Sequence, residues 1–268
     1  MVSKLRKYWT VITTTWANGF AYPLSFWMWR FRQVIQTVVS LSLWESLFIS
    51  SGTMFGYDRA QMLTYIFAAN IVGFIVFASR TIDVSSIIDS GDLSLYLVRP
   101  VQFFVYWFSR DLADKAQNII FSTAELTAIY FIFRPPLILP NSITPVVLTC
   151  IAVLGGVLLY YFVNMIFGFL GFWASDVWAP RFLFFTVMFF TSGSLFPLDI
   201  FPQQVVRIFS YTPFPYLVFF QTKLWLSQLP PDQIVRGFSL MILWIITCGI
   251  LAIGMWKKGI VDYTAEGR

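Results

Sequence analysis

Histidine is absent from this 268-residue sequence, cysteine occurs twice, and charged residues make up only 12% of the chain. The lack of histidine excludes a histidine-based catalytic triad, a histidine general base and a histidine metal site. Cys150 and Cys248 each lie in an apolar run, which favours buried thiols over redox or metal chemistry and excludes a disulfide scaffold. Because soluble domains carry about 25% charged residues, the low charge also excludes a soluble enzyme and a disordered protein.

Apolar and aromatic residues dominate the composition. Hydrophobic residues make up 58% and aromatic residues 20% of the chain, and the mean hydropathy is +0.72. A soluble fold of this composition would expose a large apolar surface, so the composition predicts an integral membrane protein. The isoelectric point of about 9.2 agrees with the collection of Lys and Arg on the cytoplasmic side of membranes, and we expect no nucleic-acid partner.

Six apolar segments predict helices that cross the membrane, which need about 20 residues each. Pro135, Pro136 and Pro140 separate the third segment from the fourth. The Gly155–Gly156 pair suits close contact with a neighbouring helix. We therefore predict an all-α membrane protein with a single domain over residues 1–268 and a six-span bundle over 31–256. The segments are 31–49, 62–78, 119–133, 143–173, 182–196 and 238–256.

An amphipathic pattern precedes the first apolar segment. Apolar residues recur there at steps of three and four, which places them on one helical face. The pattern predicts a helix over residues 1–22 that lies in the membrane interface; the alternative is that it begins the first spanning helix. The residues of the stripe are Leu5, Trp9, Ile12, Trp16 and Phe20.

The distribution of Lys and Arg predicts the orientation. Assigning residues 1–32, 80–118, 174–181 and 257–268 to one face places 13 of the 18 basic residues there and five on the other. Because basic loops stay in the cytoplasm, this split predicts that both termini are cytoplasmic.

Residues 80–100 form the most polar stretch of the chain. Alternating isoleucine, valine and aspartate residues predict a short surface helix, and Ser90-Gly91-Asp92 predicts its end and a turn. A short helix presented to the cytosol by two spanning helices suits docking to a soluble partner. The other interpretation is an ordinary solvated loop.

The stretch from residue 193 to residue 215 is too apolar for a loop in water and is broken by Gly193 and four prolines. Apolar, broken backbone at a membrane edge predicts short re-entrant helices that protein buries. Pro202 suits the start of one of these helices.

Polar residues within the predicted spans are few. Glu125 lies inside the third segment, where a carboxylate is costly and normally faces protein or water. It either contributes to a substrate path or subunit seam, or is a hydrogen-bonded structural residue. Asn70 and Asn164 are weaker cases of the same kind.

The sequence offers no energy source for transport. It contains no G-x-x-x-x-G-K-[ST] motif for binding ATP. Few ionisable residues lie within spans, no internal repeat is evident, and no selectivity-filter motif occurs. A separate motor protein is therefore the simplest hypothesis for a transporter.

Two motifs carry a resemblance to a known family. Ser192-Gly193, Phe196-Pro197-Leu198, Pro202 and Pro213 precede the last predicted span. Together with the order of elements, they resemble the permease subunit of type-2 ATP-binding-cassette (ABC-2) exporters. The pattern from Asp89 to Pro100, Gly-x-Leu…Leu…Arg-Pro, resembles that of a branch of bacterial permeases.

The resemblance implies a division of roles. Two permeases, either a homodimer or a pair with a homologous chain, would sit in the lipid of a bacterial inner membrane on two ATPase subunits. These subunits would bind ATP and Mg, with no cofactor in this chain. The coupling contacts implied are Ile82, Asp83, Ser86, Ile87, Asp89, Gly91 and Arg99, with Asp176 as a minor contact. The outer gate implied is Gly193, Phe196, Pro197, Pro202 and Pro213.

The aromatic, charge-poor spans suit a hydrophobic or amphipathic cargo such as a drug or lipid. Two alternatives to an ABC exporter stay open: a secondary transporter driven by an ion gradient, and a membrane assembly protein without a transport path.

Overall fold

The computed structural model describes residues 2–48 and 52–264, with side chains from residue 6 onwards in the first helix. The predicted end of the first span at Ile49, the side chain of Leu5 and residues 265–268 lie outside this description. The described parts form α-helices and one two-stranded antiparallel hairpin. The helices are α1 (Val2–Asn18), α2 (Pro23–Phe48), α3 (Arg59–Val76), α4 (Val84–Asp89), α5 (Leu93–Leu97), α6 (Phe103–Phe133), α7 (Ile143–Phe169), α8 (Trp178–Thr191), α9 (Gln203–Ser210), α10 (Phe219–Trp225) and α11 (Pro231–Asp262); the strands are β1 (Thr53–Met54) and β2 (Tyr57–Asp58).

Four helices are long and apolar enough to cross a membrane: α3, α6, α7 with its continuation to Phe172, and α11. This confirms an all-α membrane protein. The first and fifth predicted spans correspond to α2 and α8, which are not among the four. Arg30, Arg32 and Glu45 lower the mean hydropathy of α2. α8 is too short to be among the four, because it has only 14 residues.

Several helices begin earlier than predicted, and for α2 and α6 this changes where basic residues lie. α2 starts at Pro23, whose missing N–H is no loss in a first helical turn. Arg30 and Arg32, which the charge count placed in a loop, therefore lie within α2. α6 starts at Phe103, well before the predicted third span, so Lys115 is also helical.

The main core forms around α7, which packs against α3, α10 and α11. A Cβ at Gly155 would come within 2.5 Å of the Met241 side chain in α11, and one at Gly156 within 2.8 Å of Gln221 in α10. The glycine pair thus permits two close helix contacts on α7. The predicted role of Gly155–Gly156 is confirmed.

A second apolar cluster closes one end of the bundle. Val84 and Leu93 of α4 and α5 pack there with the fully buried Trp107 of α6 and Phe169 of α7. Trp256 of α11 stacks on Phe103 with ring centroids 4.3 Å apart. We call this end of the bundle the α4 end and the opposite end, which carries β1 and β2, the hairpin end.

α1 packs along the first half of α6. The Gln117 amide donates to the carbonyl of Trp16 at 2.7 Å, and the backbone N–H of Gln102 donates to the Tyr8 hydroxyl at 3.2 Å. A helix thus forms in the predicted N-terminal region, over Val2–Asn18, and its position in the membrane interface stays a prediction. Its apolar stripe is only partly used for packing, because Trp9 is 63% exposed.

Candidate functional site

Segment 80–100 folds as two short helices joined by a tight turn. A 3-10 turn at Thr81–Asp83 leads directly into α4. Gly91 then adopts a φ of +81°, a left-handed conformation that glycine reaches without steric penalty, and α5 follows. The predicted short helix that ends at the Ser-Gly-Asp turn is confirmed as a structure; its role as a docking site stays a prediction.

α4 lies directly on the end of α7 and the turn that follows it. A Cβ at Gly168 would approach Cβ of Val84 to 2.8 Å, and one at Gly171 would approach the carbonyl oxygen of Ser85 to 2.9 Å. Contacts below 3.0 Å require something to shift. The two glycines therefore let α4 rest on the backbone of its neighbour without intervening side chains.

Lys115 of α6 binds the last turn of α3. Its side chain is almost fully buried, and Nζ donates to the carbonyls of Ile75 at 3.3 Å, Val76 at 3.2 Å, and Ala78. A cation is favourable there because the last carbonyls of a helix lack intrahelical partners and carry partial negative charge.

Asp111, one turn before Lys115, binds the chain between α3 and α4. Its buried carboxylate accepts hydrogen bonds from the backbone N–H of Arg80 at 2.7 Å and from the Ser79 hydroxyl at 3.0 Å. The Arg80 side chain in turn pairs with Asp114 at 2.8 Å. α6 thus fixes the point at which α3 leads into segment 80–100.

A further arginine reaches the same segment from α8. The Arg181 guanidinium donates to the carbonyl of Ile82 at 3.1 Å and to Oδ1 of Asn164 in α7 at 2.7 Å. Asp83 lies 3.8 Å from Arg110 of α6. Segment 80–100 is therefore held by polar side chains of α6 and α8 and by packing against α7.

The face of segment 80–100 that points away from the bundle is a mixture of apolar and polar groups. The structure brings most of the predicted coupling residues together, with Asp83, Ile87 and Asp89 half-buried and Gly91 buried. Asp176 lies apart, in the loop before α8, where its carboxylate accepts from the backbone N–H of Trp178 at 2.8 Å. The exposed residues of this face include Ile82, Ser86, Leu95, Leu97, Val98 and Arg99.

A cleft of about 590 Å³ opens above this segment, between α2, α3, α6 and α8. It extends from Arg80 and Asp83 at the α4 end to Asn70 and Phe189 deeper in the bundle. The side-chain amide of Asn70 has hydrogen-bond partners there. It donates to the carbonyl of Ile66 at 2.8 Å and accepts from the Thr37 hydroxyl at 3.3 Å.

Glu125 pairs with an arginine from another helix. Its Oε1 lies 3.5 Å from Nε of Arg30, and both side chains are largely buried, at 16% and 7% exposed. Arg30 also donates to Asn118 at 2.8 Å and Ser122 at 3.2 Å. Of the two interpretations of Glu125, this geometry favours a structural residue, because the ion pair joins α2 to α6; Oε2 of Glu125 is buried without a hydrogen-bond partner among the described residues. Asn164 likewise has a structural partner, Arg181.

At the hairpin end, Gly193 marks a sharp turn after α8. Its φ is +80°, and a Cβ there would come within 2.7 Å of both the Tyr65 hydroxyl and the Phe219 side chain. The Tyr65 hydroxyl donates to the Gly193 carbonyl at 2.6 Å, and Phe219 N–H donates to the Ser192 carbonyl at 2.9 Å. Gly193 thus brings the turn onto α3 and the start of α10.

The predicted gate prolines divide the chain beyond Gly193 into short pieces. Pro197 and Pro202 are extended, and α9 begins directly after Pro202, as expected. Pro213 precedes a 3-10 turn that leads towards α10. Phe196 packs against Phe201 with ring centroids 5.6 Å apart.

The most deeply buried short helix, α10, lies just beyond the predicted 193–215 region. It packs against α7 and α3. Gln221 is fully buried, and its amide donates to the carbonyls of Ala152 at 3.0 Å and Tyr216 at 2.7 Å. α10 therefore places polar side chains within the core rather than in an external loop.

A partly buried polar cluster joins three separate parts of the hairpin end. Nζ of Lys223 donates to the Tyr57 hydroxyl at 2.9 Å, to Asp199 at 2.7 Å, and to Gln228. The Tyr57 hydroxyl donates to Asp199 at 2.8 Å. Burial, reinforced by the Asp199 carboxylate, raises the pKa of Tyr57, so the phenol remains a donor. The hairpin, the loop before α9 and α10 are thereby fastened together.

Sequence reasoning missed most of these buried charges. The charge count assigned Arg30, Lys115, Arg181 and Lys223 to loops. One signal was available: Asp111 and Lys115 stand four residues apart beside an apolar run, which places both on one face of a helix. In the described residues, no group of three or more Cys, Asp or Glu is arranged to hold a metal ion.

Comparison with known proteins gives one family. Residues 34–267 match the family described as ABC-2 family transporter protein. The match begins within α2 and includes segment 80–100, most of the cleft and the whole of α8–α11. A search of curated proteins finds no match. With four helices apolar enough to cross a membrane, the chain is a multi-pass membrane protein and belongs to the ABC-2 transporter family, as a permease subunit.

Proposed function

We propose that this chain is the membrane subunit of an ATP-driven exporter that works as a pair of permeases with two separate ATPase subunits. The ATPases bind ATP and Mg, and they dock on segment 80–100, with Asp176 as a minor contact. The observation that carries the proposal is the construction of this segment. Its inner face is bound by α6, α7 and α8, while its outer face exposes Ile82, Ser86 and Arg99.

The proposed topology has six crossings with both termini in the cytoplasm of a bacterial inner membrane. α2 and α8 supply the two crossings beyond the four apolar helices. Contacts at both chain ends support an even number: Tyr8 meets Gln102, and the Tyr263 hydroxyl donates to the Gly91 carbonyl, both at the α4 end. The exposed Trp9 of α1 suits the membrane interface.

Coupling runs through the groups that hold segment 80–100. A displacement of α4 is transmitted to α7 through the close contacts at Gly168 and Gly171. It reaches α3 and α6 through Asp111 and Lys115, which bind the α3–α4 junction. Packed contacts of this kind transmit a displacement rather than absorbing it.

The cleft supplies the transport path in this proposal. α2, α3 and α8 line it and face the second permease, either a copy of this chain or a homologous one. The turn at Gly193, with Phe196, Pro197, Pro202 and Pro213, forms the outer gate. A hydrophobic or amphipathic cargo moves between them when the ATPases close.

Substitution on the exposed face tests this proposal. Ile82 is 56% exposed, so Ile82→Asp adds a charge at the proposed interface without disturbing the core. We expect the variant to insert and fold normally but to lose most co-purifying ATPase. Val261→Asp, at an 81% exposed position on α11, is the matched control and retains the ATPase. Equal retention by both variants would contradict docking on segment 80–100.

A further inference from the structure

One face of α2 is polar where it borders the cleft. Ser25, Arg32, Gln33 and Gln36 all line it and recur at helical spacing. A polar face on a helix at membrane depth normally meets protein, water or a ligand. Here it meets open space.

Most charges around the cleft are already neutralised. Arg80 pairs with Asp114, and Arg30, which also lines the cleft, pairs with Glu125, which does not line it. Asp83 has Arg110 within 3.8 Å. Because these charges are paired, they contribute little net electrostatic field to the cleft.

Arg32 differs from these residues. It is exposed, and among residues 2–48 and 52–264 no carboxylate lies within ion-pair distance of it. Its guanidinium lies over the Trp29 ring, 4.6 Å from the centroid, which orients it. Gln36, one helical turn further along α2, also has no side-chain hydrogen bond to the described residues. The cleft therefore offers one uncompensated cation beside a free carboxamide.

The remaining wall is aromatic. It is lined by Phe26 and Trp29 of α2, Phe74 of α3, Phe77 directly after α3, and Phe189 of α8. The volume of about 590 Å³ lies within the range of about 300–1,000 Å³ found for small-molecule sites. The aromatic side chains suit an apolar chain or ring system, and the Arg32 guanidinium suits a phosphate or carboxylate.

We infer that the cleft takes an amphipathic molecule with an anionic headgroup, held by Arg32 and Gln36 at the headgroup and by the aromatic wall along its apolar part. This inference rests on the proposed transport function and names its substrate class. An amphiphile with a cationic headgroup would meet like charge at Arg32 and lose the matching hydrogen bonds.

Binding to the purified chain without ATPase subunits tests the inference. The chain is placed in nanodiscs of neutral phosphatidylcholine, and binding of radiolabelled hexadecyl phosphate is measured. We expect saturable binding that unlabelled dodecyl phosphate displaces and that dodecyltrimethylammonium and inorganic phosphate do not. Displacement by the ammonium compound at equal concentration would overturn the assignment of headgroup charge.

Variants locate the site. Arg32→Gln is expected to weaken binding about tenfold or more, because a charge-assisted hydrogen bond is lost. Arg32→Lys should retain part of the affinity. Arg6→Gln removes an exposed arginine of α1 outside the cleft and should leave binding unchanged. Equal weakening by Arg6→Gln and Arg32→Gln would show general surface attraction and overturn the proposal.

The experiment separates this inference from the proposed coupling. Ligand binding to the isolated chain does not depend on docking of an ATPase. Loss of ATPase from Ile82→Asp, with no binding of hexadecyl phosphate by the unsubstituted chain, would support coupling and reject the substrate class. The reverse result would reject coupling and retain the ligand site.

Discussion

Several buried charged side chains of the helices bind groups from other helices. Arg30 of α2 is matched by Glu125 and Asn118 of α6, Lys115 by the carbonyls that end α3, and Arg181 by Asn164. Such groups are costly in an apolar environment unless a partner is present. These residues therefore specify which helices are neighbours.

The Arg30–Glu125 pair gives the first prediction. Glu125→Gln removes the carboxylate and leaves the Arg30 charge buried, so the melting temperature in detergent should fall. The double variant Arg30→Gln with Glu125→Gln should be less destabilised than the sum of the single variants, with a coupling of about 1–3 kcal/mol. Strictly additive losses would assign Glu125 a role other than joining α2 to α6.

The second prediction concerns Lys115. Lys115→Met keeps the length of the side chain but leaves the α3 carbonyls and the Asp111 carboxylate without their cation. We expect a loss of about 2 kcal/mol or more, measured as a lower melting temperature, together with weaker ATPase binding. Lys257→Met, at an exposed position on α11, is the control and should have little effect. Equal behaviour of the two variants would argue against Lys115 as the link between α6 and α3.

At the scale of elements, hydropathy alone was enough to predict α3, α7 and α11 as spanning helices, because each contains an apolar run of nearly full spanning length. Hydropathy did not predict the start of α2, because Arg30 and Arg32 are charged and suggest a loop when their positions on a helix are unknown. It also missed α10, whose seven residues include Gln221 and Lys223. Short buried helices with polar residues are stabilised by tertiary contacts that no local pattern records.

The third prediction concerns the contact between α4 and the turn after α7. Gly171→Ala would force a methyl group against the Ser85 backbone, displacing α4 or costing about 1–3 kcal/mol. We expect weaker ATPase binding with insertion preserved. Gly254→Ala is the matched control, because a Cβ there meets nothing within 4 Å and a helical alanine is slightly stabilising. If Gly171→Ala behaves like Gly254→Ala, α4 does not depend on this contact.

In the whole molecule, the two ends are built differently. The α4 end joins both chain ends and segment 80–100 through aromatic packing and ion pairs. At the hairpin end, the cluster of Tyr57, Asp199 and Lys223 joins the hairpin to α10, and Tyr65 binds the turn at Gly193. This asymmetry suits a permease that receives force at one end and opens at the other.

The sequence was informative about the family and the order of elements, because apolar runs, prolines and glycines act locally. It was less informative about the candidate site. Arg30 and Glu125 are far apart in the chain, and so are Tyr57 and Lys223, which lie 166 residues apart. Such pairs form only when the whole bundle has assembled, so single-sequence patterns do not contain them.

The most direct test of the account is purification of the tagged chain from its native membranes in mild detergent, with mass spectrometry and an ATP hydrolysis assay. We predict that a separate protein with a G-x-x-x-x-G-K-[ST] motif co-purifies at about one copy per permease and hydrolyses ATP. A second, homologous permease would identify a heterodimer. A chain that purifies alone after gentle crosslinking, with no ATP hydrolysis, would contradict the proposed exporter.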